Sequence, residues 1–176
     1  MQERLGIPFI ELTRLYRLDK IRNQYRLLGQ AIGAEFDDHV YYADAYAAVT
    51  QFREKYGALQ IAVGECLNAD SFELALALTE YGFHVPEIYG TVGERNSVFI
   101  KKLAEISPDT RIYSNLSPTM LHYRRTCKID AVIGNDAMYY HKDIAGIGFQ
   151  EEEQPFGYRG VKLLFEKLGA ALSEAE

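Results

Sequence analysis

Leu18, Ile21, Tyr25, Leu28 and Ile32 recur at intervals of three and four residues, which places them on one face of a helix starting at Asp19 and ending near Gly33. Ahead of it, the stretch beginning at Gly6 and running through Pro8 and Phe9 to Leu12 reads as a short strand leaving a turn. Tyr41, Ala45, Ala48, Phe52 and Tyr56 repeat the helical spacing, and Gly57 is a natural stop because glycine tolerates the left-handed conformation after a last turn. Two helices thus precede whatever sheet follows.

From Leu59 the pattern changes to short apolar runs separated by helical stretches, the signature of a parallel sheet with crossover helices. The runs are Leu59 to Val63, Phe83 to Tyr89, Arg111 to Tyr113, Ile129 to Ile133 and, more weakly, Ile144 to Phe149. Asp70 with Glu73 resembles a capping box opening a helix that Phe72, Leu74, Leu78 and Tyr81 pack and Gly82 closes. Phe99, Leu103 and Ile106 mark another, cut off by Pro108. Ser117 before Pro118 predicts an N-cap and first turn, with the helix running towards Cys127, and Val161 to Leu172 predicts a last helix. The fold class expected is α/β: a three-layer, doubly wound, Rossmann-like domain on a mostly parallel sheet of four or five strands. Residues 1–35 are expected to be a strand and helix carried over from a preceding α/β domain, because that strand has no nearby sequence partner. Residues 36–176 are then the Rossmann-like domain.

The 176 residues carry 19 basic and 25 acidic side chains, for a net charge of −6. The densest basic cluster, Arg124 and Arg125 with Lys128, is too small for a phosphate track, so nucleic acid is not an expected partner. Cys66 and Cys127 lack both a disulfide framework and CxxC spacing, which suits a reducing compartment and makes the cytoplasm the expected location. No apolar run approaches the roughly 20 residues of a membrane helix, and the N-terminus does not read as a signal peptide.

In an open parallel sheet, ligands bind beyond the carboxyl ends of the strands. The residues there are Gly64-Glu65-Cys66, Gly90-Thr91, Ser114-Asn115 and Gly134-Asn135-Asp136. The turn after the first run lacks the three-glycine dinucleotide fingerprint, and no GxxxxGK[ST] occurs, so neither bound NAD nor bound ATP is supported. Cys66 reads either as a thiolate favoured by the following helix N-terminus, hence a metal ligand or nucleophile, or as a small inert filler of a tight turn. Cys127 reads as the end of a helix face and therefore core. Asn135 and Asp136 face a ligand in one reading and cap a turn in the other. His141, with no second histidine or carboxylate at ligand spacing, reads as a partly exposed packing residue. Glu151, Glu152 and Glu153 read as a solvated turn.

Three stretches, taken in order, carry a resemblance to a known family. Arg4-Leu5-Gly6-Ile7-Pro8-Phe9 is similar to a "yGiP" strand followed by a helix with an "iA..lG" type segment, here Leu27 to Gly33. Ile61-Ala62-Val63-Gly64 through Leu78-Thr79-Glu80-Tyr81-Gly82-Phe83 looks like a strand, glycine turn and "L.elG" helix. Pro155-Phe156-Gly157-Tyr158-Arg159-Gly160 looks like an aromatic-glycine box ahead of a C-terminal helix. Together they resemble the nitrogenase component 1 type oxidoreductases, which include the molybdenum-iron protein subunits, their cofactor-assembly relatives and the dark-operative protochlorophyllide reductase subunits.

The resemblance implies a nitrogenase iron-molybdenum-protein-like domain, the stretch from the end of a middle domain to the C-terminus of a three-domain subunit. The parent would be an oxidoreductase taking low-potential electrons from an ATP-dependent iron-sulfur reductase. Its partners would be the remaining domains of its own subunit, a homologous component 1 subunit and that reductase. The parent's iron-sulfur or tetrapyrrole centre is held mainly by cysteines in earlier regions, so the segment alone is expected to bind no cofactor and to be inactive. The histidine that ligates the catalytic metallocluster falls near Ile147 or Gly148 here, and neither binds metal, which argues against dinitrogen reduction. Gly64, Glu65, Cys66, Asn135 and Asp136 are the residues expected to line the cofactor cleft, with Cys66 the metal-ligand candidate. The missing domains are expected to leave apolar surface that promotes self-association. The alternative is a stand-alone α/β module that binds a small polar molecule without redox chemistry.

Overall fold

The computed structural model describes residues 10–150 and 155–175. Ile61–Val63 (β1) is the middle strand of a five-stranded sheet, with Glu87–Tyr89 (β2) and Arg111–Tyr113 (β3) on one side and Ala131–Ile133 (β4) and Gly146–Ile147 (β5) on the other. The order β3-β2-β1-β4-β5 is parallel throughout rather than mostly parallel. Successive strands are added on one side of β1 (β2, β3) and then on the other (β4, β5), so the topological switch point lies between β1 and β4.

Strand alternation sorts the sheet's side chains onto two unequal faces. Ile61, Val63, Ile88, Ala131 and Ile133 point into the larger core, and Ala62, Tyr89 and Val132 into the smaller. The larger face is covered by Leu18–Ile32 (α1), His39–Tyr56 (α2), Ser71–Glu80 (α3), Ser97–Ile106 (α4) and Tyr158–Ala175 (α6), which supply Ile21, Phe52, Leu76, Leu103 and Phe165 to one continuous core. The smaller face is covered by the 118–130 segment and a single short helix, Asn135–Tyr140 (α5).

Helix α3 starts where the sequence predicts: the Asp70 side chain accepts from the amides of Phe72 and Glu73 at 3.0 and 3.1 Å. Residues 71–78 are buried all round because the helix sits between sheet and neighbouring helices. Glu73, buried within it, accepts from the Tyr16 amide at 2.8 Å and from Arg17 Nε at 3.1 Å, docking the segment ahead of α1 onto the core. Gly33 closes α1 with φ 69°, as expected.

Three expectations are corrected, on the 117–127 helix, on Cys127 and on α2. The helix predicted from Ser117 to Cys127 is only a 3-10 turn, Pro118–His122; Ser117 does cap it, but Tyr123 leaves the helical region (ψ 135°) and sends its hydroxyl into the interior. Cys127 therefore ends no helix face. Helix α5 went unforeseen because Asn135 and Asp136 read as turn residues. On α2, Val49 rather than Ala48 is the buried position and Tyr41 faces outward. The strand predicted at Gly6 to Leu12 lies mostly outside the described residues, and Ile10 to Leu12 form no strand. Glu151, Glu152 and Glu153 also lie outside them.

Candidate functional site

Two glycines shape the switch point. A methyl group on Gly64 would stand 2.8 Å from the Ala137 amide nitrogen, and one on Gly134, whose φ is 97°, would stand 2.7 Å from the Gly64 carbonyl carbon. The bare backbones let α5 seat directly over the end of β1, where the Gly64 amide donates to Ile133 O at 2.6 Å. That contact brings together Glu65 and Asp136, two of the predicted residues. Asp136 Oδ2 accepts from the Glu65 amide at 3.3 Å and from Asn115 Nδ2 at 2.7 Å. Glu65 Oε1 accepts from both the amide and the hydroxyl of Thr91 at 3.1 Å, and Gln150 Nε2 donates to the Glu65 carbonyl at 3.0 Å. The ends of β1, β2, β3 and β4 are thus tied into one polar rim carrying two carboxylates.

Asn135 and Cys66 stand apart from this rim. The Asn135 side chain lies against Gly148, where a methyl group would collide with its Oδ1. Cys66 is half-buried against the larger core, its thiol 3.5 Å from the Gly64 carbonyl. Cys127 belongs instead to the smaller core on the other face. Among the described residues, no three His, Cys, Asp or Glu side chains converge to hold a metal ion. The described residues therefore do not by themselves offer a ligand set for an iron-sulfur or similar centre; Cys66 has the chemistry for at most one ligand to a group held elsewhere.

A second constellation lies beneath the smaller face, and it overturns the reading of His141 as partly exposed. His141 and Glu87 are both fully buried, with Nε2 3.0 Å from Glu87 Oε2. Glu87 Oε2 also accepts from the hydroxyls of Tyr89 at 2.8 Å and Tyr123 at 2.7 Å, and Oε1 from the Cys127 thiol at 3.4 Å. Burial alone would raise the Glu87 carboxyl, but these donors, His141 foremost, outweigh it and hold the group down at about 2. Burial and the Glu87 charge push the Cys127 thiol up to about 11 and raise both phenols well above the ordinary tyrosine range. Both phenols donate to the carboxylate, so the His141 Nε2 contact is satisfied by a ring proton on Nε2; Nδ1 has no hydrogen-bond partner among the described residues.

Stacked rings surround the cluster: Tyr89 lies 5.4 Å from Tyr113 and 5.0 Å from Tyr140, nearly parallel to each. Sequence spacing could not reveal the set, since Glu87 and His141 are 54 residues apart and meet only across the sheet. One signal was available: strand alternation puts Glu87 on the same face as Tyr89, and a carboxylate inside a strand flanked by apolar residues needs buried donors.

No family model and no curated protein matches the chain. A solved chain described as Nitrogenase Cp1 at pH 6.5 shares its fold, with a TM-score of 0.71 and 15% identity over 98% of this chain. This chain spans 42% of that one's length. The chain therefore has a nitrogenase-like, Rossmann-type α/β fold, and no helix among the described residues is long and apolar enough to cross a membrane.

Proposed function

We propose that this chain is the C-terminal domain of a nitrogenase-like oxidoreductase of component 1 type, with residues 1–35 the tail of the α/β domain before it. The observation that carries the reading is the fold shared with Nitrogenase Cp1 along 98% of the chain, at under half of that chain's length. The three sequence stretches quoted above point the same way.

In this reading the chain builds one wall of a cleft at the β1/β4 switch point. Gly64 and Gly134 allow close backbone approach, while Glu65, Asn135 and Asp136 supply polar groups towards a centre held chiefly by other domains and by a homologous subunit. Cys66 is the one candidate ligand from this chain. The parent takes low-potential electrons from an ATP-dependent iron-sulfur reductase in the cytoplasm and passes them to a substrate other than dinitrogen. The centre is of iron-sulfur or tetrapyrrole type.

One observation favours a second reading. The rim residues Glu65, Thr91, Asn115 and Asp136 bond to one another without help from any other domain, as a stand-alone module for a small polar ligand would require. Anaerobic capture on the tagged chain from its source organism, with mass spectrometry and iron and sulfide analysis of what is retained, separates the two. The expected result is a component 1 type subunit carrying iron and acid-labile sulfide. Recovery of the chain with no iron-bearing partner overturns the oxidoreductase reading and leaves the binding module.

A further inference from the structure

The Glu87 cluster plays no part in the polar rim, yet it gathers five reactive side chains in the interior with a line of aromatic rings leading out. We propose that Tyr89 is a reversible one-electron redox site, wired to the protein surface through Tyr140 and Tyr139.

Three observations carry this. The Tyr89 hydroxyl, fully buried, donates to Glu87 Oε2 at 2.8 Å, so the proton that a phenol must lose on oxidation has a fixed acceptor already in hydrogen-bond contact. The other bonds to that carboxylate, to Oε2 from His141 Nε2 at 3.0 Å and from Tyr123 at 2.7 Å and to Oε1 from the Cys127 thiol at 3.4 Å, keep it in place when it takes the proton. Finally, the Tyr89 ring is stacked on Tyr140 at 5.0 Å with 13° between planes, Tyr140 meets Tyr139 at 5.1 Å, and Tyr139 is 65% exposed. An electron can therefore leave the interior by short ring-to-ring steps while the proton stays.

An outer-sphere one-electron oxidant at the surface, of the peroxyl-radical or metal-polypyridyl class, removes one electron from Tyr139. The hole moves to Tyr140 and then to Tyr89, whose O–H bond breaks as the proton passes to Glu87 Oε2. The products are a neutral tyrosyl radical, a protonated Glu87 and the reduced oxidant. A one-electron donor of the ascorbate class reverses it, with Glu87 returning the proton. Nothing in the step involves the polar rim, so the site stands whether or not the chain belongs to an oxidoreductase.

The chain has 13 tyrosines, so a radical by itself proves nothing about Tyr89. The test is flash photolysis of the full chain with tris(bipyridine)ruthenium and an electron acceptor, following the tyrosyl absorption and the electron paramagnetic resonance signal. The expected result is a slowly decaying radical whose lifetime falls roughly tenfold in Tyr89→Phe, where the buried hydrogen-bonded phenol is gone, and is unchanged in Tyr46→Phe, an exposed tyrosine outside the cluster. Tyr139→Phe should slow formation of that radical without shortening its life. Equal lifetimes in wild type and Tyr89→Phe overturn the proposal. Should Tyr89→Phe fail to fold, the wild type decides: high-field spectra of a hydrogen-bonded phenoxyl that ascorbate quenches more slowly than free tyrosyl support the site, and a solvent-like radical quenched at the free rate overturns it.

Discussion

The carboxylate of Glu87 on β2 and the imidazole of His141, one residue past α5, meet at 3.0 Å with neither side chain exposed. The contact ties β2 to the thin layer over the sheet, which has no long helix of its own. Removing Glu87 leaves the Tyr89 hydroxyl and the His141 ring buried without their acceptor, and a buried polar group left unsatisfied typically costs about 1–3 kcal/mol. Glu87→Ala should therefore lower the urea midpoint steeply, and Glu87→Gln, which keeps the size and one carbonyl acceptor, should lower it less. Chemical denaturation of both variants checks the order.

The same carboxylate gives acid sensitivity a defined window. Its ordinary value is 4.5 and the folded value is about 2, so its folded pKa is depressed. The stability it contributes is fully present above about pH 4.5 and is lost as the pH falls towards 2. Glu73 acts with opposite sign: burial raises its carboxyl despite the Tyr16 amide and Arg17, so acid relieves the cost of holding it ionised in the core. Glu87→Gln should consequently show a flatter loss of stability between those pH values than the wild type, whereas Glu73→Gln should lose the gain in stability that the wild type shows as the pH falls towards 4.5 from above. Parallel acid titrations by circular dichroism in dilute urea read the difference.

Cys127 offers a chemical probe of the cluster. Its thiol is raised from 9.0 to about 11 by burial and by the negative charge of Glu87. At neutral pH the thiolate, which is the reactive form, should be depleted on the order of 100-fold relative to an unperturbed cysteine. Alkylation by iodoacetamide, followed site by site with mass spectrometry, should be slow at Cys127 in the native protein. It should accelerate in Glu87→Gln, where the charge is gone, well before global unfolding occurs.

Local chemistry made most of the fold legible in the sequence. Caps and stops such as Asp70, Gly33 and Gly57 act on their immediate neighbours, and the β3 run, Arg111 to Tyr113, matches its strand residue for residue. The polar rim was legible too, because a parallel sheet sends every strand end to one edge, so Glu65 and Asp136 meet without any sequence proximity. What failed was decided by contacts across the sheet. Tyr123 abandons a well-capped helix because its hydroxyl has a buried carboxylate to reach, and α5 exists because Gly64 and Gly134 leave room for it. His141 looked isolated since its partners, Glu87 and Tyr89, arrive from a different strand.

The glycine pair at the switch point makes the final prediction, because it joins the sheet's stability to the geometry of the rim. A methyl group at Gly64 would press on the Ala137 amide at 2.8 Å and on Asp136 Cβ at 3.3 Å, both fixed by α5. The strand cannot move, since it is bonded on both sides, so α5 must rise. Overpacking of this kind costs about 1–3 kcal/mol. Gly134→Ala adds backbone strain at φ 97° to a 2.7 Å clash with Gly64, and should cost more. In Gly64→Ala the lifted helix carries Asp136 away from the Glu65 amide, so the 3.3 Å bond between them should break first. Amide hydrogen exchange would show this as lost protection at Glu65 while the β1 amides of Ile61 to Val63 stay protected. Unchanged protection at Glu65 would mean that the close approach of the two backbones does not hold the rim together.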